Sequence, residues 1–498
     1  MRVPAICCAG LLAAVLSAAP AAPAAETPTP ETSILRVNVT NQPYNFALPW
    51  QKRQPGSKQG LGALLDGRRV LVTAELIQDA SYVEFEVASS GKKLTAQVAT
   101  VDYEANLAVL TPKDEPEDFF DGLVPFPISV TPPKNGDRFE VWQFEANGTP
   151  VTSGITYETA RLGRSFVEGS FFLQFEANGA VNYREGSFTL PVIQGGHLAG
   201  MLLSYDSEDQ VATILPFPII RAFLDDAADG TYAGFPGFGI KFAPTLDEQL
   251  RTYLKVPEGA GGVMVTGVMP DTSAALAGLR EGDVLLVLGG YKLDARGNYQ
   301  DPTWGLLAMG HLVKGAHPAG TQLPMKISRD GQLLDLTLTL TRREPRDQLV
   351  DPYVFDRGPR YLILGGLVFS ELTRTYLEAF GNEWRERAPF EFVFAVQNQE
   401  KFARDGRKKL VFLAGALPSQ TTLGYEGVRG AFIEKVNGRV INDIKDLAAA
   451  LENPADGLHT IEIDEVPYTL YVDAELAVRD NQSLLPQRYR ITELQRLE

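Results

Sequence analysis

Cysteine is almost missing from this chain. Among 498 residues only Cys7 and Cys8 are cysteine. Both lie in an apolar run, Ala5–Ala19, preceded by Arg2 and followed by the small-residue stretch Ala22-Pro23-Ala24. That order is the pattern of a secretory signal peptide, here expected over residues 1–25. The run falls short of the roughly 20 apolar residues that a spanning helix needs. No cysteine follows it as a lipid-anchored one would. The expected mature chain therefore has no disulfide, no thiol nucleophile and no zinc–thiolate site. It is read as exported, periplasmic or extracellular, with no membrane anchor.

Histidine is scarce too: His197, His311, His317 and His459 are the only four. No spacing of His or Asp suits a metal site, so no metal and no cofactor are expected. Positive charge is in deficit, with 46 Lys and Arg against 62 Asp and Glu and a net charge of −16. Such a balance argues against nucleic acid or an anionic membrane surface as partner.

What remains is a chain long enough for about three domains. Residues Leu61–Ile77 (LGALLDGRRVLVTAELI) read as two strands joined by a turn at Asp66-Gly67, the second ending in Val72-Thr73-Ala74-Glu75. Around them, residues 36–228 carry short alternating runs separated by turn residues, such as Tyr82–Val87, Leu107–Leu110, Phe139–Phe144 and Leu198–Leu203. This is an all-β barrel or sandwich pattern, closed by an amphipathic helix over Pro218–Ala227. Residues 232–343 differ. They hold Gly237-Phe238-Gly239-Ile240 ahead of a strand, then VMPDTSAALAGLREGDVLLVLGG at 268–290. A short helix at Ser273–Ala277, a turn at Gly278, a buried strand at Val284–Leu288, a helix near Trp304–Val313 and a strand near Asp335–Leu340 are expected there. After a polar linker, residues 354–475 form a more diverged unit of the same kind, with Gly365-Gly366-Leu367-Val368 in the place of the glycine loop. Residues 476–498 are expected to form a tail or terminal helix.

In this order the segments resemble the HtrA/Deg family, trypsin-like serine proteases that carry PDZ domains. NFALPWQKRQ (45–54), DFFDGL (118–123), GFPGFGIKF (234–242) and RYLILGGLVF (360–369) are similar to the plant-type branch, whose second PDZ domain is divergent. The resemblance implies a mostly β fold with minor α: a trypsin-like double β-barrel followed by two PDZ-like α+β domains. It also implies a homo-oligomer, a trimer or a multiple of one.

Carried over position by position, the resemblance implies that the catalytic triad is lost. Glu75 stands where the strand after the turn would deliver a histidine. Asp102-Tyr103-Glu104-Ala105-Asn106-Leu107-Ala108-Val109-Leu110 matches D-x-x-x-D-L-A-V-L with Asn106 for the second aspartate. Gly186-Ser187-Phe188-Thr189-Leu190-Pro191 matches G-N-S-G-G-P with Phe188 for the nucleophile. Sliding that match to make Ser187 the nucleophile leaves it without a base, since no histidine precedes residue 197. Thr189 and Leu190 would crowd a loop whose glycines aim N–H groups at an oxyanion. Glu75 itself is expected to be a solvated carboxylate at a strand end.

The first PDZ unit carries the binding expectation. Its loop at Gly237, Phe238, Gly239 and Ile240 offers backbone N–H groups to a peptide's C-terminal carboxylate. The next strand would take the peptide as an added strand, with Leu307 or His311 shaping specificity from a facing helix. The resulting expectation is an exported pseudo-protease that binds unfolded or C-terminal protein segments. It would act as a scaffold, a chaperone-like protein or a regulator of an active Deg-type relative. Two alternatives stand beside it: an active serine endopeptidase with atypical residues, and a structural assembly subunit whose PDZ grooves are filled from within.

Overall fold

The structure is a computed structural model and describes residues 27–116, 118–182, 189–403 and 406–498. The expected signal peptide, Ser187 and Phe188 lie outside them.

Two closed six-stranded barrels come first. Barrel 1 consists of β1 (Ile34–Asn41), β2 (Gly56–Leu65), β3 (Arg69–Val72), β4 (Ala80–Glu86), β5 (Lys93–Asp102) and β6 (Leu107–Pro112), in the order β1-β2-β3-β6-β5-β4. The hairpin that joins β2 to β3 turns at Asp66-Gly67, where Gly67 takes φ +74° without the steric cost a Cβ would bring. Barrel 2 consists of β7 (Arg138–Phe144), β8 (Pro150–Arg164), β9 (Phe171–Asn178), β10 (Leu190–Gln194), β11 (His197–Asp206) and β12 (Val211–Pro216). Its order is β10-β11-β12-β9-β8-β7. Strand β8 shows the cause of closure: its buried residues alternate with exposed ones over much of its length, so one face fills the barrel. The helix Phe217–Asp226 leaves barrel 2 with Ile219, Ile220 and Phe223 fully buried.

The first PDZ unit contains β13 (Ile240–Pro244), β14 (Val263–Val268), β15 (Val284–Leu288), β16 (Tyr291–Lys292), β17 (Asn298–Asp301), β18 (Gly305–Ala308), β19 (Gln322–Arg329) and β20 (Gln332–Thr339). Its sheet runs β13-β14-β15-β19-β20, with β13 at one edge. The short helix Ser273–Leu276 is where the sequence puts it. The expected helix near Trp304–Val313 is not formed as such. Residues 298–308 make the hairpin β17–β18, and only Gly310–Val313 is helical, a single turn. Asp301 sets the hairpin: its carboxylate accepts from the Thr303 and Trp304 N–H groups at 2.8 and 2.9 Å.

The core of this unit is continuous with that of barrel 2. Phe235 packs edge-on against Phe172 at 4.9 Å, and Trp304 lies 5.3 Å from Phe175. Burying this much apolar surface across the joint docks the unit firmly on the barrel.

The second unit has two four-stranded sheets. One is β23-β22-β21-β28, from β21 (Tyr361–Leu364), β22 (Leu367–Glu371), β23 (Val411–Ala416) and β28 (Gln495–Arg496). The other is β25-β24-β26-β27, from β24 (Ile433–Val436), β25 (Arg439–Val440), β26 (Leu458–Ile463) and β27 (Thr469–Asp473). Short helices spanning Arg374–Glu378, Trp384–Arg387, Phe390–Gln397 and Gln399–Phe402 separate β22 from β23. The C-terminal residues, expected as a tail or terminal helix, are in part helical and end in a strand that was not expected. They extend a helix from Ala474 and then return as β28 along β21.

Candidate functional site

Two places follow from the sequence: the positions it matches to a triad, and the glycine loop of the first PDZ unit.

At the first, Thr73 follows β3 and precedes the one-turn helix Ala74–Ile77, so Glu75 sits on a helix rather than at an exposed strand end. It is half-buried. Its N–H donates to Asn106 Oδ1 at 3.0 Å, and the Asn106 amide and Thr73 hydroxyl both hydrogen-bond its carboxylate. Lys58 donates to the Glu75 carbonyl at 3.0 Å. Burial pushes the Glu75 carboxyl above its ordinary range, against the opposing pull of Asn106, Lys58 and Thr73. The expectation of a freely solvated carboxylate is thus corrected: the side chain is desolvated and held.

Two of the positions that the sequence matches to a triad, Glu75 and Asn106, therefore meet. From barrel 2 comes the residue after the third. Thr189 is buried with φ +56°, a glycine-like backbone carrying a β-branched side chain. Its Oγ1 accepts from the Thr73 N–H at 3.2 Å and its carbonyl from Leu61 N–H at 3.4 Å. Thr189 takes a backbone turn that suits glycine, and its hydroxyl and carbonyl tie the two barrels together.

The loop that holds Asn106 is itself anchored to the first PDZ unit. Asp102 is buried; it accepts from Ala105 N–H at 2.8 Å and from the Tyr232 hydroxyl at 2.6 Å. Arg342 lies 3.6 Å from the same carboxylate. Burial, then the Asp102 charge, drives the Tyr232 phenol far up.

At the second place, Gly239 has φ +81°, and a Cβ there would lie 2.2 Å from the Thr272 side chain. Only glycine fits. The Gly239 carbonyl accepts from Met269 N–H and the Phe238 carbonyl from Ala274 N–H, which pins the loop to the helix Ser273–Leu276. Gly237 N–H is spent on the Thr341 carbonyl at 3.1 Å. Among the described residues, neither Phe238 nor Gly239 N–H donates to an acceptor. Ile240 opens β13, whose outer edge is taken by no other strand among the described residues.

The loop opens into a cavity of about 470 Å³ shared by three parts of the chain. Barrel 2 supplies Leu162 and Phe171, the PDZ unit Val313 and Lys314, the second unit Val396 and Gln399. Arg343 reaches in as well, held by the Pro270 and Asp347 carbonyls at 3.3 and 2.8 Å. Lys314 is paired with Glu104. From β13 itself, Lys241 forms a 2.8 Å ion pair with Glu400 of the second unit.

Leu307 and His311 take a different place from the one the sequence suggests. Both are buried in the core shared with barrel 2, at 2% and 5% exposure. The His311 Nδ1 has no hydrogen-bond partner, and burial pushes the imidazole down to about 4. The side chains that line the cavity instead, Leu162, Phe171, Val313 and Val396, come from three domains. No local pattern in the sequence points to them.

In the second unit, Gly365 and Gly366 are the φ-positive pair of a tight hairpin between β21 and β22. Gly365 N–H is occupied by Asn481 Oδ1 at 2.8 Å. Strand β22 pairs with β21 on one side and β23 on the other, so it has no free edge.

Comparison with known proteins agrees with this architecture. The family described as PDZ domain matches residues 350–495. Protease Do-like 2, chloroplastic, of Arabidopsis thaliana is 26% identical over 87% of this chain and 70% of its own length. Protease Do-like 4, mitochondrial, from the same plant is 23% identical over 92% of this chain and 84% of its own. Periplasmic serine endoprotease DegP of Salmonella typhimurium is 24% identical over 56% of each. Among solved structures, HtrA-type protease AlgW with decapeptide gives a TM-score of 0.48 at 17% identity, covering 63% of this chain and 97% of that one. Domain order, the PDZ match over residues 350–495 and the curated relatives together make this chain similar to HtrA/Deg proteases, with two β-barrels followed by PDZ-like units.

Proposed function

We propose that this HtrA/Deg-type chain binds polypeptide and does not cut it. The observation that carries the reading is the Glu75–Asn106 pair. A triad base must take a proton from the nucleophile while an anionic partner holds it in place. Here a carboxylate pushed upward in pKa stands in the base's position, and its partner is a neutral amide. The third position reads Phe188 in the sequence. Peptide capture falls to the first PDZ unit. The Phe238 and Gly239 N–H groups receive a terminal carboxylate, Arg343 adds positive charge, and the apolar wall of the cavity takes the last side chain. The protein then works as a scaffold, a chaperone-like holder or a regulator of an active relative.

The test is direct. Purified protein, incubated with a fluorophosphonate probe and with fluorescent casein, is expected to show no label and no cleavage. Labelling at Ser187, or cleavage that survives inhibitors of contaminating proteases, would favour an endopeptidase with unusual residues.

For the second unit, a role in packing or assembly has the better support. The strand after its glycine pair has both edges in use, and the N–H of Gly365 is taken by Asn481.

A further inference from the structure

Residues 351–357 (DPYVFDR) join the PDZ unit to the second unit, yet their aromatic side chains sit on the barrels. Tyr353 and Phe355 stack on each other at 5.0 Å and meet the Tyr103 ring edge-on at 5.5 and 4.8 Å. Phe355 also lies 5.7 Å from Phe166, in the loop between β8 and β9 of barrel 2. Asp356 accepts from the Asp79 N–H, and Asp79 from the Asp356 N–H, each at 2.8 Å. The Tyr103 hydroxyl completes the clasp on Asp356.

These partners flank the old catalytic positions: Tyr103 precedes Asn106 in one loop, and Asp79 follows Glu75 just past one short helix. The segment thus bridges barrel 1, at Tyr103 and Asp79, and barrel 2, at Phe166, and its barrel 1 partners lie within four residues of Glu75 and Asn106 in the chain. It is tied as well to the second unit. The Asp351 carboxylate pairs with Lys409, the Asp351 carbonyl accepts from the Arg374 N–H at 2.9 Å, and Val354 N–H donates to Thr375 Oγ1 at 2.9 Å. Three aromatic contacts and the reciprocal N–H bonds of two like-charged carboxylates, Asp79 and Asp356, hold it on the barrels, whereas one buried ion pair and two backbone hydrogen bonds hold it on the second unit. If the units part, the segment leaves with the second unit.

We propose that segment 351–357 is a releasable strap across the inter-barrel cleft. Docked, it closes the cleft to an extended chain. Released, it uncovers Tyr103 and Phe166 as a surface for extended, aromatic-bearing polypeptide of the same chemistry as Tyr353-Val354-Phe355. This inference is independent of carboxylate capture by the Gly237–Ile240 loop.

The probe is a fluorescein-labelled peptide of residues 350–358, amidated at its C-terminus so that the PDZ loop cannot hold it as a carboxylate. The full chain should bind it poorly, because its own strap competes. A full-length Tyr353→Ser/Phe355→Ser variant should bind at least about tenfold tighter by fluorescence anisotropy, and adding Tyr103→Ser should remove the gain. A folded double variant that binds no better than the parent overturns the proposal. If the double variant does not fold, hydrogen exchange on the parent chain decides. A strap predicts that the amides of residues 353–357 exchange through a local opening, ahead of β1–β6. Exchange of those amides only with the barrel core overturns it.

Discussion

Glu75 and Asn106 lie 31 residues apart and are joined by a 3.0 Å hydrogen bond from the Glu75 N–H to the Asn106 side-chain oxygen. The fold brings together the two positions that the sequence matches to a triad, and the groups on them are a desolvated carboxylate and an amide. Geometry and chemistry have separated at this point, and the predictions follow from that separation.

Because burial raises the Glu75 carboxyl pKa, its charge is a cost in the folded state. The stability linked to this group is present below its unfolded pKa and is lost as pH rises through the folded one. Glu75→Gln should therefore leave the thermal midpoint unchanged or raised at pH 7, and peptide binding untouched. A clear drop in the midpoint at pH 7 would mean that the ionised form is needed, through Lys58.

Rebuilding the triad should not restore activity. In a Glu75→His/Asn106→Asp/Phe188→Ser variant, Thr189 still holds φ +56° with its hydroxyl on the Thr73 N–H. Loss of one oxyanion donor alone costs about a hundredfold or more in rate. Casein cleavage by the triple variant should stay at background. Turnover typical of active family members would show that the loop still forms an oxyanion hole.

His311 should make the fold acid-sensitive. Its pKa falls from an ordinary 6.5 to about 4 through burial, so the folded state binds fewer protons than the unfolded state between those values. Stability is complete above pH 6.5 and declines as pH falls toward 4, by about 3 kcal/mol in the limit of a wholly unperturbed unfolded state. Denaturant midpoints of the parent and of His311→Asn across pH 4–7 check this. The variant should show the shallower pH slope.

Gly239→Ala should already impair the PDZ loop, since its Cβ would meet Thr272 at 2.2 Å from a backbone at φ +81°. Gly239→Glu adds a like charge beside the bound carboxylate. Both should lose affinity for peptide C-termini, while far-ultraviolet circular dichroism keeps the β signal of the barrels. Unchanged affinity in Gly239→Glu would remove the loop from the site.

How much of this was legible follows the range of the forces involved. The barrels were readable because alternation such as that of β8 is local and closure follows from it. The first PDZ unit was readable from one ordered stretch, 268–290, whose helix, turn and strand appear as expected. The hairpin β17–β18 was misread as helix because its apolar residues suit either period. The Asp301-Pro302 turn signal was present and passed over. Leu307 and His311 went inward because barrel 2 covers that side, a fact no local window contains. The cavity beside Gly239, the pairing of β28 with β21 and the placement of Tyr353 and Phe355 on the barrels all join residues far apart in the chain. Sequence patterns specify which residues are apolar, and only packing decides which domain receives them.

The central claim is that this protein holds polypeptide ends where its relatives are named as proteases. Isothermal titration of the full chain with a peptide ending in an apolar residue, made once as the free acid and once as the amide, tests it most directly. The account predicts binding of the acid with a dissociation constant on the order of micromolar and loss of binding by the amide. Equal affinity for the two forms, or no binding of the acid, would contradict it.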